Sequence, residues 1–266
     1  MTNNLKIEWM KIKNYRVFQV FSVLYLIGII VIIYIFYKIY IQLTGRIMSM
    51  GNPNPRDGSD LFSLFSPKNI WSTVCFSTSF LLYLPGMIII NLFVNEVNFK
   101  THRQNIIDGW KRETFIYTKI SLILCMAVVI TLMNILATFI MCQVTDTNFD
   151  LVAGLDRLGV CFIQAFIYLM FALFLATLFR RSGIAIIVFF IYGLLLENLF
   201  MWLFSKIIPG MQHFLPLQVA DSLITLDKMG GIFADNPGRA VLVPASIAFA
   251  AIYVYFTTRK YKYDDL

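Results

Sequence analysis

The chain has little charge for its size. Of 266 residues only 14% are charged and 59% are hydrophobic, where a soluble domain carries about 25% charged and about 45–50% apolar residues. A water-soluble core of this size cannot hide that much apolar surface, so a soluble enzyme, a nucleic-acid binder and a disordered tail are all excluded. Catalytic signatures are missing as well. There is no GxxxxGK[ST] phosphate loop, no HExxH, no GxSxG and no clustered set of metal ligands, and such groups would be needed at membrane depth for intramembrane catalysis. The two histidines, His102 and His213, fall outside the apolar runs. The four cysteines, Cys75, Cys125, Cys142 and Cys161, all fall inside them and form no CxxC pair. Each reads as a small apolar side chain, although Cys142 and Cys161 both fall near one membrane face, where a bridge between them is open.

What the chain does have is six long apolar runs. They cover about 17–37, 70–94, 120–144, 158–179, 182–204 and 240–258, and roughly 20 helical residues cross a hydrocarbon core about 30 Å thick. The expectation is an all-α integral membrane protein with six transmembrane helices, one membrane domain over residues 1–266. The outer segments are 42–68, 146–157 and 205–239. The first run follows 16 residues and lacks a small-residue cleavage site, so it reads as a span and not a signal peptide.

Charge sorting orients the chain. With the N-terminus cytoplasmic, the inner segments hold 14 Lys and Arg and the outer segments 8, so the positive-inside rule places both termini in the cytoplasm. The +7 net charge is therefore a topology signal and not a nucleic-acid footprint. Residues 1–16 place Leu5, Trp9 and Ile12 on one helical stripe with basic flanks, an amphipathic helix of the interfacial kind. Trp71 and Trp202 sit where interfacial anchors are expected.

Within the spans, Pro85 and Gly86 interrupt span 2, which implies either packing strain or a hinge. Glu197 lies 15 positions beyond Ser182, about 22 Å along a helix and so in the outer third of the hydrocarbon. There it must be protonated, face water or bond a partner. Spans 3 and 4 are joined by a short segment and should be antiparallel neighbours, and Arg180-Arg181 makes a tight turn between spans 4 and 5. The apolar content of 205–239 suggests partial re-entry, with one short helix over Leu217–Leu226. Ser246 and Ala250 form a small-xxx-small pair suited to close helix approach, as at a dimer face.

The strongest signal is the inner segment 95–119, NEVNFKTHRQNIIDGWKRETFIYTK. It is strongly basic, yet presents Ile106, Ile107 and Trp110 outside the spans, the mark of a docking face. This segment resembles the permease subunits of type-2 ABC exporters. Their pattern between spans 2 and 3 is an acid, Gly-Thr-x-Arg, a few apolar residues, Pro-x-Ser-Arg and a later Lys. Glu96, Thr101, Arg103, Ile106, Arg112 and Lys119 fall at the matching spacings, while Lys100, Gly109 and Lys111 replace the glycine, proline and serine. The RQNIIDG stretch looks like a variant found in Bacteroidetes-type bacteria.

The resemblance implies a chain of the bacterial cytoplasmic (inner) membrane that forms the translocation pathway of an exporter. It would pair with a second permease chain, identical or related. Residues 98–112 would be a cytoplasmic coupling helix docking on separate ABC ATPase subunits, which would bind ATP and Mg; no cofactor is expected in this chain. Span linings rich in Phe, Leu, Ile and Met suit a hydrophobic or amphiphilic cargo. Two other readings stay open: a stand-alone proton-coupled transporter using Glu197, and a non-transporting scaffold or immunity protein.

Overall fold

A computed structural model describes residues 2–49, 63–67, 69–101, 112–208, 210–224 and 236–263. Among these the chain is all-helical, without strands. Helix α1 (Thr2–Lys13) precedes α2 (Arg16–Ser49), which contains span 1. Span 2 is α3 (Ile70–Ser79) and α4 (Tyr83–Asn98), joined through a 3₁₀ turn at Phe80–Leu82. Spans 3 and 4 are α5 (Arg112–Val144) and α6 (Leu151–Phe179). Span 5 is α7 (Ser182–Ile191) and α8 (Glu197–Ile207), joined through a π-helical stretch at Tyr192–Leu196. After the four-residue α9 (Gln218–Asp221), span 6 is α10 (Arg239–Tyr263). All six spans are long and apolar enough to cross a membrane, and the chain is a multi-pass membrane protein.

Helices outrun the apolar stretches because charge ends a hydrocarbon span without ending the backbone ladder. Helix α2 passes Lys38, whose ammonium lies over the Tyr34 ring, and continues into the segment read as an outer loop. Span 4 starts earlier than expected because Asp150 accepts the Val152 N–H at 2.9 Å and caps the new helix. At the Arg180-Arg181 turn, Arg180 takes a left-handed φ of 51°, the usual way a helix is closed. Most of the Pro/Gly-rich outer loop (51–62) lies outside the described residues.

Spans 2 and 4 form the centre of the bundle. Span 4 packs against spans 2, 3, 5 and 6, with spans 3 and 4 as neighbours, and span 1 leans on span 2. Its central stretch, from Ala165 to Ala176, is almost wholly buried. Spans 1, 5 and 6 turn broad apolar faces outward, as helices bathed in lipid do. Helix α1 and the last turn of span 6 both meet the start of span 3, and the face where they lie is called here the N-terminal face, opposite the far face.

Four expectations change. Trp71 is buried against Phe149, with ring centroids 5.5 Å apart, and is no interfacial anchor, whereas Trp202 is exposed with Lys206 over its ring. Ser246 is buried within the chain, its hydroxyl facing the Val219 carbonyl at 3.4 Å, so it does not present a dimer face. In segment 205–239 the helix is shorter than Leu217–Leu226, being only Gln218–Asp221, with a 3₁₀ turn at Met211–Phe214 before it; residues 225–235 lie outside the described residues. Finally, the bridge joins Cys75 to Cys161, not Cys142 to Cys161. Spans 2 and 4 lie side by side near the far face, while Cys142 is a buried free thiol and Cys125 an exposed one. Alkylation under denaturing conditions should therefore count two thiols before reduction and four after it; four before reduction would remove the bridge.

Candidate functional site

Two polar assemblies stand out from the apolar packing. The first lies at the N-terminal face, at the two ends of the basic segment between spans 2 and 3. Lys119, about two turns into α5, is buried, and its ammonium reaches Glu8 of α1 and Glu96 of α4 at 2.6 Å each. Glu8 is 1% exposed and Glu96 12%. Ionised groups taken out of water require such close partners, since either carboxylate left alone would cost several kcal/mol. The Lys119 ammonium also lies 5.2 Å from the Phe115 ring centroid. Next to it, Asn95 donates to the Tyr15 hydroxyl, and Ile12 is buried beneath α1. The start of span 3 is further tied to span 6, by Phe115 stacked on Tyr261 at 5.1 Å and by Lys262 on Glu113 at 2.7 Å.

This clamp gathers sequence-selected residues. Glu96 and Lys119 pair directly, and Thr101 donates to the Glu96 carbonyl at 3.2 Å. Lys100, which stands at the glycine position of the family pattern, has a left-handed φ of 56°, the conformation that favours glycine. Arg112 begins α5. His102, Arg103, Ile106, Ile107, Gly109, Trp110 and Lys111 lie outside the described residues. Glu8 is the residue that sequence reading missed. Its signal was an acid spaced i+3 from Leu5 and i−4 from Ile12, on the apolar stripe of a basic helix. Trp9, chosen for that stripe, is exposed.

The second assembly lies in mid-bundle. Residues 210–224 fold back between spans 4, 5 and 6, with Gln212, His213, Leu217 and Ala220 buried. The span around Glu197 runs on to Ile207, so Glu197 sits only about 4 Å past the span's midpoint. Its Oε1 accepts the backbone N–H groups of Leu217 and Gln218 at 2.7 and 2.6 Å, supplying the start of α9 with the acceptor that helix N-termini need. Asp221 accepts Gln164 Nε2 and the Tyr168 hydroxyl at 2.7 Å each. Tyr253 donates to the Pro216 carbonyl at 3.0 Å, and His213 Nδ1 meets the Ser222 hydroxyl at 2.8 Å. Backbone entering the bundle is thus met by side chains from spans 5 and 6, and span 4 holds the segment through the Asp221 carboxylate, as irregular chain at membrane depth requires. Asp221 was missed because its short helix was assigned to an outer segment and not to the bundle, though it is the one acid in LPLQVADSLITL.

A polar cavity of about 100 Å³ adjoins these groups, lined in part by Ser79, Tyr83, Gln164, Tyr168, Glu197 and Asp221. Both helix irregularities open onto it, through Phe80 of the 3₁₀ turn and through Gly193 and Leu194 of the π stretch. The two spans meet closely there. A Cβ on Gly193 would lie 2.2 Å from the Tyr83 hydroxyl, and one on Gly86 would lie 2.4 Å from the Phe189 ring. Gly86 is thus a close-contact position. Pro85 has no N–H to give Leu81, one turn back, so the helix tightens to 3₁₀ before it and resumes as α.

Among the described residues no group of three or more His, Cys, Asp or Glu could hold a metal ion. No family model and no curated protein matches the chain.

Two stability tests follow from this geometry. Lys119→Met should destabilise the protein by about 3–5 kcal/mol by taking from the buried Glu8 and the partly buried Glu96 the cation they share. Adding Glu8→Gln and Glu96→Gln should recover much of the loss in detergent unfolding. Additive losses would mean that the three do not act as one cluster. At the second site, Glu197→Gln keeps a carbonyl acceptor for the two N–H groups and should cost little, whereas Glu197→Leu should cost about 2–5 kcal/mol. Equal losses in both variants would mean that the ionised form, and not its acceptor oxygen, is what the fold uses.

Proposed function

We propose that this chain is the transmembrane subunit of an ATP-driven exporter of the type-2 ABC class, lying in the bacterial cytoplasmic membrane with both termini in the cytoplasm. It forms the translocation pathway with a second permease chain and takes its energy from separate ATPase subunits. The reading rests on the pattern in residues 95–119. The observation that carries it is the Glu8–Lys119–Glu96 clamp, which fastens both ends of that segment to α1 and to spans 2 and 3. A load applied to residues 98–112 by a closing ATPase pair would reach both spans together, because neither can yield without separating buried charges. The left-handed backbone at Lys100 further supports the resemblance at the one position where the pattern calls for glycine.

In this mechanism Ile106, Ile107 and Trp110 seat in an ATPase groove as apolar anchors, with Arg103 and Arg112 at its polar rim. ATP and Mg belong to the partner. The cargo is hydrophobic or amphiphilic, in keeping with the apolar span linings. Glu197, whose Oε1 is engaged by two backbone N–H groups, serves in this reading to hold the folded-back segment and not to carry protons.

Gentle detergent extraction from the native membrane, followed by mass spectrometry, tests the reading. A stoichiometric ATP-binding subunit should accompany the chain, and Ile106→Asp or Trp110→Ala should weaken that association about tenfold or more without loss of membrane insertion. Recovery of the intact chain with no ATP-binding partner would overturn it.

A further inference from the structure

A second, larger cavity lies on the opposite side of span 2 from the polar one. It measures about 320 Å³ and lies between α1 and spans 1, 2 and 3, within the size range of small-molecule sites. Its floor is buried, with Ile12, Ile88 and Ile130 drawn from three different elements. Its rim, with Leu26 and Val129, is exposed on the lipid-facing side. The recess runs from Trp9 and Ile12 of α1, at the N-terminal face, to Met133 in span 3. Met133 is 14 residues beyond the clamp lysine, about 21 Å along the helix, so the recess reaches from the interface to mid-membrane.

One group in it is out of place. Tyr25 lines the recess and is 8% exposed, and its hydroxyl is buried with no hydrogen-bond partner among the described residues. A hydroxyl in a hydrocarbon setting without an acceptor costs energy, and a recess lined, Ser22 apart, by largely apolar side chains is poorly suited to hold water to relieve it. An occupant with an apolar tail and one acceptor would satisfy both features. Lys13 and Arg16 are exposed at the end of α1 and the start of span 1, where they suit a phosphate headgroup.

From these features we infer that the recess binds one diacyl phospholipid from the leaflet on the N-terminal face, with an acyl chain along spans 1 to 3 and Tyr25 donating to an ester carbonyl. The lipid wedges between span 1 and the break in span 2, since Pro85 also lines the recess. This inference does not depend on the transport reading.

The experiment uses the full chain in phosphatidylethanolamine vesicles containing a phosphatidylglycerol with a photoreactive diazirine in one acyl chain. A parallel sample carries the ether-linked analogue, which lacks the carbonyls. Cross-linked peptides should concentrate on residues 85–88 and 122–133 over other lipid-facing segments. Met126→Trp fills the recess and should reduce that labelling about fivefold or more for both lipids. Tyr25→Phe should reduce labelling by the ester lipid about 2–10-fold and leave the ether lipid unchanged. Retention of the Cys75–Cys161 bridge reports that each variant is folded. Labelling spread evenly over all spans, or a Tyr25→Phe variant that treats the two lipids alike, overturns the inference. So does a Cys125–Cys125 cross-link between chains that displaces the label, since it would put a second copy in the recess.

Discussion

Hydrocarbon offers no hydrogen bonds, so every polar group carried to membrane depth must find its partner inside the protein. That constraint organises this fold more than apolar packing does, because apolar surface meets lipid and protein almost equally well. It explains why Lys119 holds two carboxylates at once, and why Glu197 turns its oxygen to the backbone of Leu217 and Gln218. It also explains why residues 210–224 can enter the bundle at all. Tyr253 reaches the Pro216 carbonyl from span 6, and Gln164 and Tyr168 reach the Asp221 carboxylate from span 4.

The same rule shapes the centre of the molecule. Span 2 tightens to a 3₁₀ turn just where span 5 loosens into a π stretch, and both breaks open onto one polar cavity. π-helical insertions are often found at functional positions. Here the contacts Gly86–Phe189 and Gly193–Tyr83 hold the two breaks against each other. The break in span 2 divides two compartments of opposite character. Tyr83 faces the polar cavity, and Pro85, two residues on, faces the apolar recess. A change in the pitch of span 2 at this point would alter both compartments together.

The functional layout is polarised along the membrane normal. Charge concentrates at the N-terminal face, where the clamp joins α1 to spans 2 and 3. Neutral polar groups and the two carboxylates Glu197 and Asp221 occupy mid-bundle, and a covalent bridge joins spans 2 and 4 towards the far face. Spans 2 and 4 are therefore fixed to one another at one end, while span 2 is fixed to span 3 at the other. Spans 1, 5 and 6 are held by fewer neighbours, which leaves them the freest to move against that frame.

Much of this was legible from residues alone. Charge-free runs of about 20 residues admit only a membrane helix, so the six spans, their order and the short turn at Arg180-Arg181 followed directly. Glu96 and Lys119 were marked by a pattern, Glu197 by its isolation among apolar neighbours. Sequence order could not show which distant residues meet. Glu8 looked like one more charge on a terminal helix until Lys119, 111 positions later, was placed against it. Cys161 pairs with Cys75 and not with Cys142, although spans 2 and 3 both neighbour span 4, because only the Cys75 side chain is brought against it. Asp221 looked solvated until its segment folded back between three spans. Local chemistry by itself determined which stretches enter the membrane, because solvation acts on each segment separately. Only the tertiary structure decided how the polar groups carried in with them are matched, because that depends on contacts between helices far apart in the chain.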